Sequence, residues 1–267
     1  MNTPAKKAVG IIPARWTSSR FPGKPLHLIA GRPLLRHVWE RTKQARTLDR
    51  VIIATDNFRI AEAAFNWGAE VALTSSTHPS GTDRVAEVAK KARQFAHIVN
   101  IQGDEPLIDP KLIDQLVREL RRNPELEIVT AAHPFRDLRE TESPHQVKVV
   151  IDRDGFALYF SRAQIPALRE EAGRPRAEAS KARAGLFLRH QGIYGYTRSA
   201  LLRFVRWRAT PLERAEALEQ LRALENGVRI KVVVTKGGSP GVDTPEDTRM
   251  IERLIMLADQ RRPGFRR

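Results

Sequence analysis

The stretch of sequence that decides the fold is an apolar run followed by a basic loop: Ala8-Val-Gly-Ile-Ile12, then Arg15-Trp-Thr-Ser-Ser-Arg20-Phe-Pro-Gly-Lys24-Pro25. The run has the length and composition of a buried strand, and the loop adds three cations, several hydroxyls and a glycine. Backbone N–H groups can approach an anion where the glycine removes side-chain bulk, and the cations can share its charge. We expect this loop to hold a polyphosphate, with a solvated basic turn as the alternative.

Two familiar phosphate-binding patterns do not describe this loop. It matches neither the Walker A pattern nor Gly-x-Gly-x-x-Gly. The sequence therefore does not argue for a P-loop NTPase or for a dinucleotide-binding oxidoreductase.

Length and composition limit the class of protein further. A chain of 267 residues fits one large domain, or a domain with a smaller lobe, and we expect a single domain over residues 1–267. The lack of cysteine excludes a disulfide framework, a thiolate zinc site and a cysteine nucleophile. Residues 1–7 lack the apolar region of a signal peptide, and no apolar run approaches the roughly 20 residues that span a bilayer. We therefore expect a cytoplasmic protein without membrane insertion.

The formal net charge of +15 raises the alternative of a basic nucleic-acid-binding module. The cations are nevertheless spread along the chain and mixed with acidic residues, and the sequence has no homeodomain, zinc-finger or RNP-like pattern. We favour a well-solvated, arginine-rich surface with a few cations at the functional site. No nucleic-acid partner is predicted.

Apolar runs alternate with helical patterns in the first part of the chain. After the first strand, further buried strands are predicted at 51–54, 71–73 and 97–101, and helices at 33–44, 58–67 and 83–95. This alternation is typical of an α/β protein with a parallel sheet covered on both faces. Ligands of such sheets bind at the carboxyl ends of the strands, where the basic loop, Thr55-Asp56 and Gln102-Gly-Asp-Glu-Pro106 all fall.

The middle of the chain has a different character. Strands at 146–151 and 156–161 are predicted to form a hairpin, because Asp152-Arg-Asp-Gly155 joins them. The charged segment 167–185 is interpreted as a mobile excursion, either a lid or a passive insertion. The remaining predictions are a strand at 192–196, a helix at 212–225, a strand at 230–234, a helix at 245–260 and a disordered tail at 261–267.

Two aspartates are the candidates for chemistry on a bound phosphate. Asp104 follows a buried strand and should point into the crevice, although a turn-forming role is the alternative. Asp243 precedes a helix whose start is already explained by Thr244, Pro245 and Asp247, so its carboxylate is left for another task unless it is itself the cap. Mg²⁺ takes one or two carboxylates together with phosphate oxygens and water. The two aspartates therefore predict a magnesium site.

Such a site needs no protein nucleophile. Metal ions would neutralise a triphosphate and orient an attacking hydroxyl, while positioning and electrostatics supply most of the acceleration of an in-line displacement. The residues alone do not name a general base.

At this point the chain resembles the 3-deoxy-manno-octulosonate (Kdo) cytidylyltransferase family, also called CMP-Kdo synthetases. The resemblance runs in order from about Gly10 to Ile251. Its ten blocks are Ile11-Ile-Pro-Ala-Arg15, Ser19-Arg-Phe-Pro-Gly-Lys24, Ala54-Thr-Asp56, Ser80-Gly-Thr-Asp-Arg84, Asn100-Ile-Gln-Gly-Asp-Glu-Pro106, Tyr159-Phe-Ser-Arg162, Arg189-His190, Gly192-Ile-Tyr-Gly195, Leu218-Glu-Gln-Leu-Arg222 and Gly241-Val-Asp-Thr-Pro-Glu-Asp247.

The resemblance implies a fold, a reaction and a set of binding residues. The fold would be that of the nucleotide-diphospho-sugar transferases, a Rossmann-like, mixed and mostly parallel sheet flanked by helices. A smaller β-containing lobe at about 133–196 would serve dimerisation, so a homodimer is expected. The reaction would transfer CMP from CTP to the 2-hydroxyl of Kdo and release pyrophosphate, which activates Kdo for lipopolysaccharide assembly.

Residue by residue, the resemblance implies three groups of site residues. Lys24, Asp104, Asp243 and Arg15 would be catalytic, with Asp104 and Asp243 binding Mg²⁺. The nucleotide would be held by Arg15, Ser19, Arg20, Lys24, Ser80, Gly81, Arg84 and Gln102. The sugar pocket would be lined by Gln102, Arg162, His190, Tyr194, Glu219 and Gln220.

Alternatives remain for the sugar-pocket residues and for the substrate. Taken without the resemblance, Arg162 could form a surface ion pair, His190 and Tyr194 could belong to the core, and Glu219 and Gln220 could lie on a helix surface. The rival substrate is a sialic-acid-like nonulosonate, which a related synthetase would activate with the same basic loop and carboxylates. The excursion at 167–185 matches no motif of the family, and the reaction does not require the strongly positive net charge of the chain.

Overall fold

The computed structural model describes residues 6–17, 21–168 and 185–260. The chain forms two compact units, Met1–Val117 with Ser239–Arg267, and Arg118–Gly238. The predicted excursion therefore lies mostly outside the described residues, and the predicted tail at 261–267 lies wholly outside them. The predicted lobe at 133–196 falls within the second unit.

The first unit contains a four-stranded parallel sheet in the order β6-β1-β4-β5. Its strands are β1 (Ala8–Ala14), β4 (Arg50–Thr55), β5 (Glu70–Leu73) and β6 (His97–Asn100), and a small antiparallel pair is formed by β2 (Leu28–Ile29) and β3 (Arg32–Pro33). Val9, Ile11 and Ile12 of β1 are fully buried. The expected parallel sheet is confirmed, because β-branched residues buried on both faces suit a central parallel strand.

Helices connect the strands of this unit. They are α1 (Leu34–Thr42), α2 (Phe58–Asn66), α3 (Gly81–Lys91) and α4 (Pro110–Arg122, which continues into the second unit). Asn57 begins α2 by accepting hydrogen bonds from the N–H groups of Arg59 and Ile60 at 3.0 and 3.3 Å. In the described ranges, no helix is both long enough and apolar enough to cross a bilayer.

One predicted strand is less buried than expected. The run at 71–73 was expected to be a buried strand, but β5 lies at the edge of the sheet and Leu73 is 51% exposed. A short apolar run does not reveal whether a second neighbour will cover it, so its burial could not be predicted.

The second unit contains a mixed sheet. Its strands are β7 (Ile128–Pro134), β8 (Lys148–Ile151), β9 (Ala157–Ser161), β10 (Leu188–Thr197) and β11 (Ile230–Val234). β7 pairs antiparallel with β10 and parallel with β11, while β8 pairs antiparallel with both β9 and β10. The predicted β8–β9 hairpin is confirmed, and Asp152 closes its turn by accepting from the N–H groups of Asp154 and Phe156.

Three short helices complete the second unit, and α8 (Pro245–Gln260) returns the chain to the first. The short helices are α5 (Arg198–Phe204), α6 (Pro211–Glu216) and α7 (Leu221–Glu225). The single helix predicted at 212–225 is therefore wrong. The chain breaks at Ala217, whose φ of 49° is left-handed and cannot continue a right-handed helix.

Candidate active site

The described members of the predicted catalytic and nucleotide-binding sets line one pocket of the first unit. This pocket has a volume of about 240 Å³ and lies where the chain leaves β1 and β6 and enters α3. Its lining includes Arg15, Lys24, Ser80, Gly81, Arg84, Gln102, Asp104 and Asp243. Ser19 and Arg20 lie outside the described residues. The carboxyl ends of parallel strands thus gather residues that are distant in sequence.

Lys24 makes the central contacts of the pocket. Its ammonium lies 2.7 Å from Oδ2 of Asp104 and donates to the carbonyl oxygen of Val242 at 2.8 Å. The side chains of Lys24 and Asp104 are 16% and 33% exposed, so a ligand can still reach this ion pair. Gly23 begins the 3-10 helix that carries Lys24; its φ of 71° suits glycine, and its N–H donates to Trp16 to close the loop.

The segment that carries Asp243 is fixed on both sides. Val242 is fully buried in an apolar cluster with Phe21, Ile29, Leu34 and Ile251, and its N–H donates to the carbonyl of Asp104 at 2.9 Å. These contacts bring Asp243 to the pocket that Asp104 also lines, as the sequence predicts.

The carboxylate of Asp247 fixes the start of α8. It accepts from the N–H groups of Asp243 and Thr244, both at 2.8 Å. Burial acts to raise the pKa of this carboxyl, but the two N–H donors, the Thr244 hydroxyl and the charge of Lys24 together outweigh it, and the pKa lies below its usual value. The predicted helix start therefore holds the backbone of Asp243 in place.

The N-terminus of α3 forms another wall. Ser80 caps the helix by accepting from the N–H of Asp83 at 3.2 Å, and its hydroxyl donates to the Asp83 carboxylate at 2.7 Å. Helix N-termini favour anions because their first N–H groups have no partner within the helix. Gly81 occupies the first helical position at the pocket. This geometry suits the nucleotide-binding role that the resemblance implies for both residues.

Arg84 is more buried than an arginine side chain that is free to move onto a phosphate. The residue is 3% exposed, and its guanidinium contacts Asp56 at 3.2 Å and the Thr74 hydroxyl at 2.5 Å. These contacts tie α3 to the ends of β4 and β5. Its predicted direct contact with the nucleotide stays a prediction.

Five lining residues were not among the predicted site residues: Pro13, Ala14, Pro25, His78 and Gly103. Gly103 and His78 are the two with specific contacts. Gly103 lines the pocket, and a Cβ at this position would lie 2.8 Å from the carbonyl oxygen of Pro13, so only glycine fits. His78 also lines the pocket, with Nε2 2.7 Å from Oε2 of Glu87. The N–H of Ser75 and the His78 ring lower the pKa of Glu87 to about 2. Neither residue has a local sequence signal, because both depend on a contact with a remote segment.

The predicted sugar-pocket residues other than Gln102 lie in the second unit. Arg162 donates through Nε to the carbonyl of Glu216 at 2.7 Å, and through its terminal nitrogens to the carbonyls of Pro144 and Ala217. The guanidinium therefore satisfies carbonyls freed by the helix break at Ala217. Glu219 and Gln220 follow this break instead of lying within a continuous helix.

His190 and Tyr194 lie together inside the second unit. The hydroxyl of Tyr194 is 2.9 Å from His190 Nε2, and Thr130 Oγ1 lies 3.1 Å from the same nitrogen. Burial lowers the pKa of His190 to about 3 and raises that of Tyr194 well above its ordinary value. Both rings are neutral at physiological pH, so they can offer hydrogen bonds to a sugar but no charge.

The residues of the first pocket fit a hard divalent cation. Asp104 and Asp243 supply carboxylate oxygens, and a triphosphate with water would complete the shell of Mg²⁺. Among the residues that the structure describes, no group of three or more His, Cys, Asp or Glu side chains could hold a metal by itself. The donor set therefore suits a metal that arrives with its nucleotide rather than a closed structural site.

The basic loop after β1, the capped α3 terminus and the two aspartates that line the same pocket are typical of a nucleotidyltransferase. A family model described as cytidylyltransferase matches residues 9–230. The 3-deoxy-manno-octulosonate cytidylyltransferase of Syntrophotalea carbinolica is 51% identical over 242 residues, which cover 91% of this chain and 96% of that protein. The enzyme of the same name from Geobacter sulfurreducens is 48% identical over 245 residues, covering 91% and 98%.

A solved structure supports the same assignment. CMP:2-keto-3-deoxy-manno-octonic acid synthetase complexed with CTP matches with a TM-score of 0.86 at 39% identity, covering 94% of this chain and 99% of that one. The chain belongs to the 3-deoxy-manno-octulosonate cytidylyltransferase family. The expected fold class, a mixed and mostly parallel sheet with flanking helices, is confirmed.

Proposed function

We propose that this chain transfers CMP from CTP to the anomeric 2-hydroxyl of Kdo, giving CMP-Kdo and pyrophosphate and activating Kdo for lipopolysaccharide assembly. The observation that carries the proposal is the pocket in which Lys24, Asp104 and Asp243 meet at the capped end of α3. The likeness to a synthetase complexed with CTP supports the choice of nucleotide.

In this proposal the first unit binds the nucleotide. Arg15 and Lys24 hold the triphosphate as charge-assisted donors, and the N–H groups at Ser80 and Gly81 help to seat it. Asp104 and Asp243 hold Mg²⁺, which when bound neutralises phosphate charge and lowers the barrier for attack at the α-phosphorus.

For the sugar we propose the residues of the second unit that the resemblance implies; Gln102, the remaining member of that set, lines the pocket of the first unit. Kdo has one carboxylate and many hydroxyls, so its recognition needs a cation with a ring of donors and acceptors. Arg162 is the cation, although its contacts with three carbonyls also give it a structural task. The neutral pair His190 and Tyr194, with Glu219 and Gln220, provides the polar ring.

The chemistry is a displacement in which one bond forms as another breaks. The 2-hydroxyl oxygen of Kdo bonds to the α-phosphorus of CTP, the bond from that phosphorus to the β-phosphate bridging oxygen breaks, and pyrophosphate leaves. The hydroxyl proton passes to solvent or to a general base. The described residues do not identify that base. Positioning and electrostatic stabilisation by the pocket residues supply the acceleration.

Incubation of the protein with CTP, Kdo and Mg²⁺, followed by mass spectrometry of the product, tests the proposal. CMP-Kdo and pyrophosphate are expected in equal amounts. Turnover of a nonulosonate but not of Kdo would replace the sugar assignment. Tight DNA or RNA binding at physiological salt with no CTP turnover would instead favour the nucleic-acid-binding alternative.

The homodimer and the cytoplasmic location remain predictions. Size-exclusion chromatography with light scattering tests the first, and fractionation of the producing cells tests the second.

A further inference from the structure

Lys24 contacts both segments that bring a carboxylate to the pocket. Its ammonium donates to Asp104 Oδ2 at 2.7 Å and to the carbonyl oxygen of Val242, the residue before Asp243, at 2.8 Å. The ammonium therefore lies in the pocket that both proposed metal ligands line. The ammonium neutralises the Asp104 carboxylate, which a divalent cation would otherwise neutralise.

An ammonium and a divalent cation cannot share this position at low cost. A metal bound to either oxygen of Asp104 would lie within a few ångströms of the lysine nitrogen, and like charges at such distances repel strongly where water is partly excluded. The Lys24 side chain is only 16% exposed, so solvent screens this repulsion incompletely. Metal binding at Asp104 therefore requires the ammonium to move away.

The groups around the ammonium determine where it can go. The carboxylates of Asp104 and Asp247 interact with the ammonium from two segments, and Asp243 lines the same pocket. Arg15 is the other described cation of the loop that lines the pocket. A triphosphate in the pocket would offer the ammonium new anionic oxygens within reach of its flexible stem. Moving the lysine from Asp104 to a phosphate then frees the carboxylate without leaving either charge unpaired.

We propose that Lys24 couples the two ligands of this site: its ammonium competes with the divalent cation for Asp104, and a bound nucleoside triphosphate removes that competition. This inference rests on the proposed function, because it assumes that the pocket receives a triphosphate and a metal. The site binds metal weakly alone and more tightly with nucleotide, so the nucleotide enters first or together with its metal. A ligand shifts such an equilibrium only by its differential affinity for the two lysine positions.

The test measures metal and nucleotide affinities separately in Lys24→Met and Lys24→Gln. Mn²⁺, used as the probe, is titrated into nucleotide-free protein while electron paramagnetic resonance reports the free ion. Removing the competing charge should tighten Mn²⁺ binding about tenfold in both variants, within the usual range of coupling between sites. Calorimetry of CTP binding in EDTA should show weaker binding, because the same residue holds the triphosphate. Opposite changes in the two affinities are not expected from a merely damaged site.

Three control variants make the result specific. Lys24→Arg keeps the charge and should leave the Mn²⁺ affinity within about twofold of wild type. Arg15→Met removes one positive charge from the same loop without removing the Asp104 partner, and should change the affinity far less than Lys24→Met. Asp104→Asn should abolish the gain in a double variant with Lys24→Met, which places the bound ion at Asp104.

Unchanged or weaker Mn²⁺ binding in the neutral Lys24 variants, with thermal unfolding showing folded protein, overturns the coupling. An equal gain in Lys24→Arg or Arg15→Met also overturns it, because charge competition at Asp104 would not then be the cause. If Lys24→Met does not fold, Lys24→Gln carries the test, since its amide is uncharged but remains a hydrogen-bond donor in the pocket. The proposed function fails separately, when wild-type protein forms no CMP-Kdo from CTP, Kdo and Mg²⁺.

Discussion

Single side chains in this protein join segments that are far apart in sequence. Lys24 contacts Asp104, 80 positions away, and the carbonyl of Val242, 218 positions away. The residue types follow from the chemistry of a triphosphate and a metal, so the sequence could indicate both the lysine and the aspartates. Their direct pairing could not be predicted, because it depends on where the buried Val242 cluster places the segment before α8.

His190 shows how burial changes the role of a single residue. Because burial lowers its pKa from 6.5 to about 3, the unfolded chain binds a proton between these pH values that the folded chain does not. The free energy of unfolding therefore falls as the pH falls through this window. Between pH 7 and pH 5 we expect the free energy of unfolding of wild type to fall by about 2 kcal/mol more than that of His190→Gln.

Urea titrations at several pH values measure this difference. His145→Gln is the matched control, since it makes the same substitution at an exposed position of the same unit. Parallel pH profiles for wild type and His190→Gln would show that the imidazole accepts its proton without unfolding, contrary to its burial.

At the scale of the elements, Arg162 stabilises the chain where the break separates α6 from α7. The guanidinium donates to the carbonyls of Glu216, Ala217 and Pro144, and the Arg162 N–H donates to the Glu216 carboxylate at 2.9 Å. Glu216 also accepts from the hydroxyl of Ser161 at 2.6 Å. The hairpin strand β9 is thereby fastened to the end of α6.

Arg162→Ala should lower the free energy of unfolding by about 2 kcal/mol, because it removes charge-assisted hydrogen bonds to carbonyls at a helix end. Arg153→Ala, an exposed position in the β8–β9 turn, should change it by less than about 0.5 kcal/mol. Urea denaturation measures both. A similar small effect in both variants would mean that the α6–α7 break persists without the guanidinium.

The elements differ in how far the sequence could predict them. Several apolar patterns predicted their elements correctly. The bounds of β11 and α8 were predicted as observed, and those of β1, β4 and β6 to within a few residues. Five of the described elements, β2, β3, α4, β7 and α5, were not predicted. The α6–α7 break was missed because 212–225 keeps a helical apolar spacing, whereas the break is stabilised by Arg162, a residue 55 positions from Ala217.

At the scale of the whole molecule, the first unit is built from both ends of the chain. Met1–Val117 supplies the basic loop and Asp104, while Ser239–Arg267 supplies Asp243. The sequence could predict that these residues share a sheet edge, because each follows or precedes a recognisable element. It could not predict contacts such as Gly103 against Pro13, which depend on the distance between two backbones.

Hydrogen exchange tests how the ligands are divided between the two units. A CTP analogue with a methylene bridge between the α- and β-phosphates cannot release pyrophosphate, so it can be added with Mg²⁺ and with or without Kdo. We expect the analogue alone to slow amide exchange in the first unit, around residues 13–15, 23–26, 80–84 and 102–104, because bound ligand suppresses local opening. Kdo should then add protection around 189–194 and 217–222, where the predicted sugar residues lie. Protection by Kdo confined to the first unit would remove His190, Tyr194, Glu219 and Gln220 from the sugar site, while protection by the analogue confined to the second unit would contradict the assignment of the nucleotide pocket.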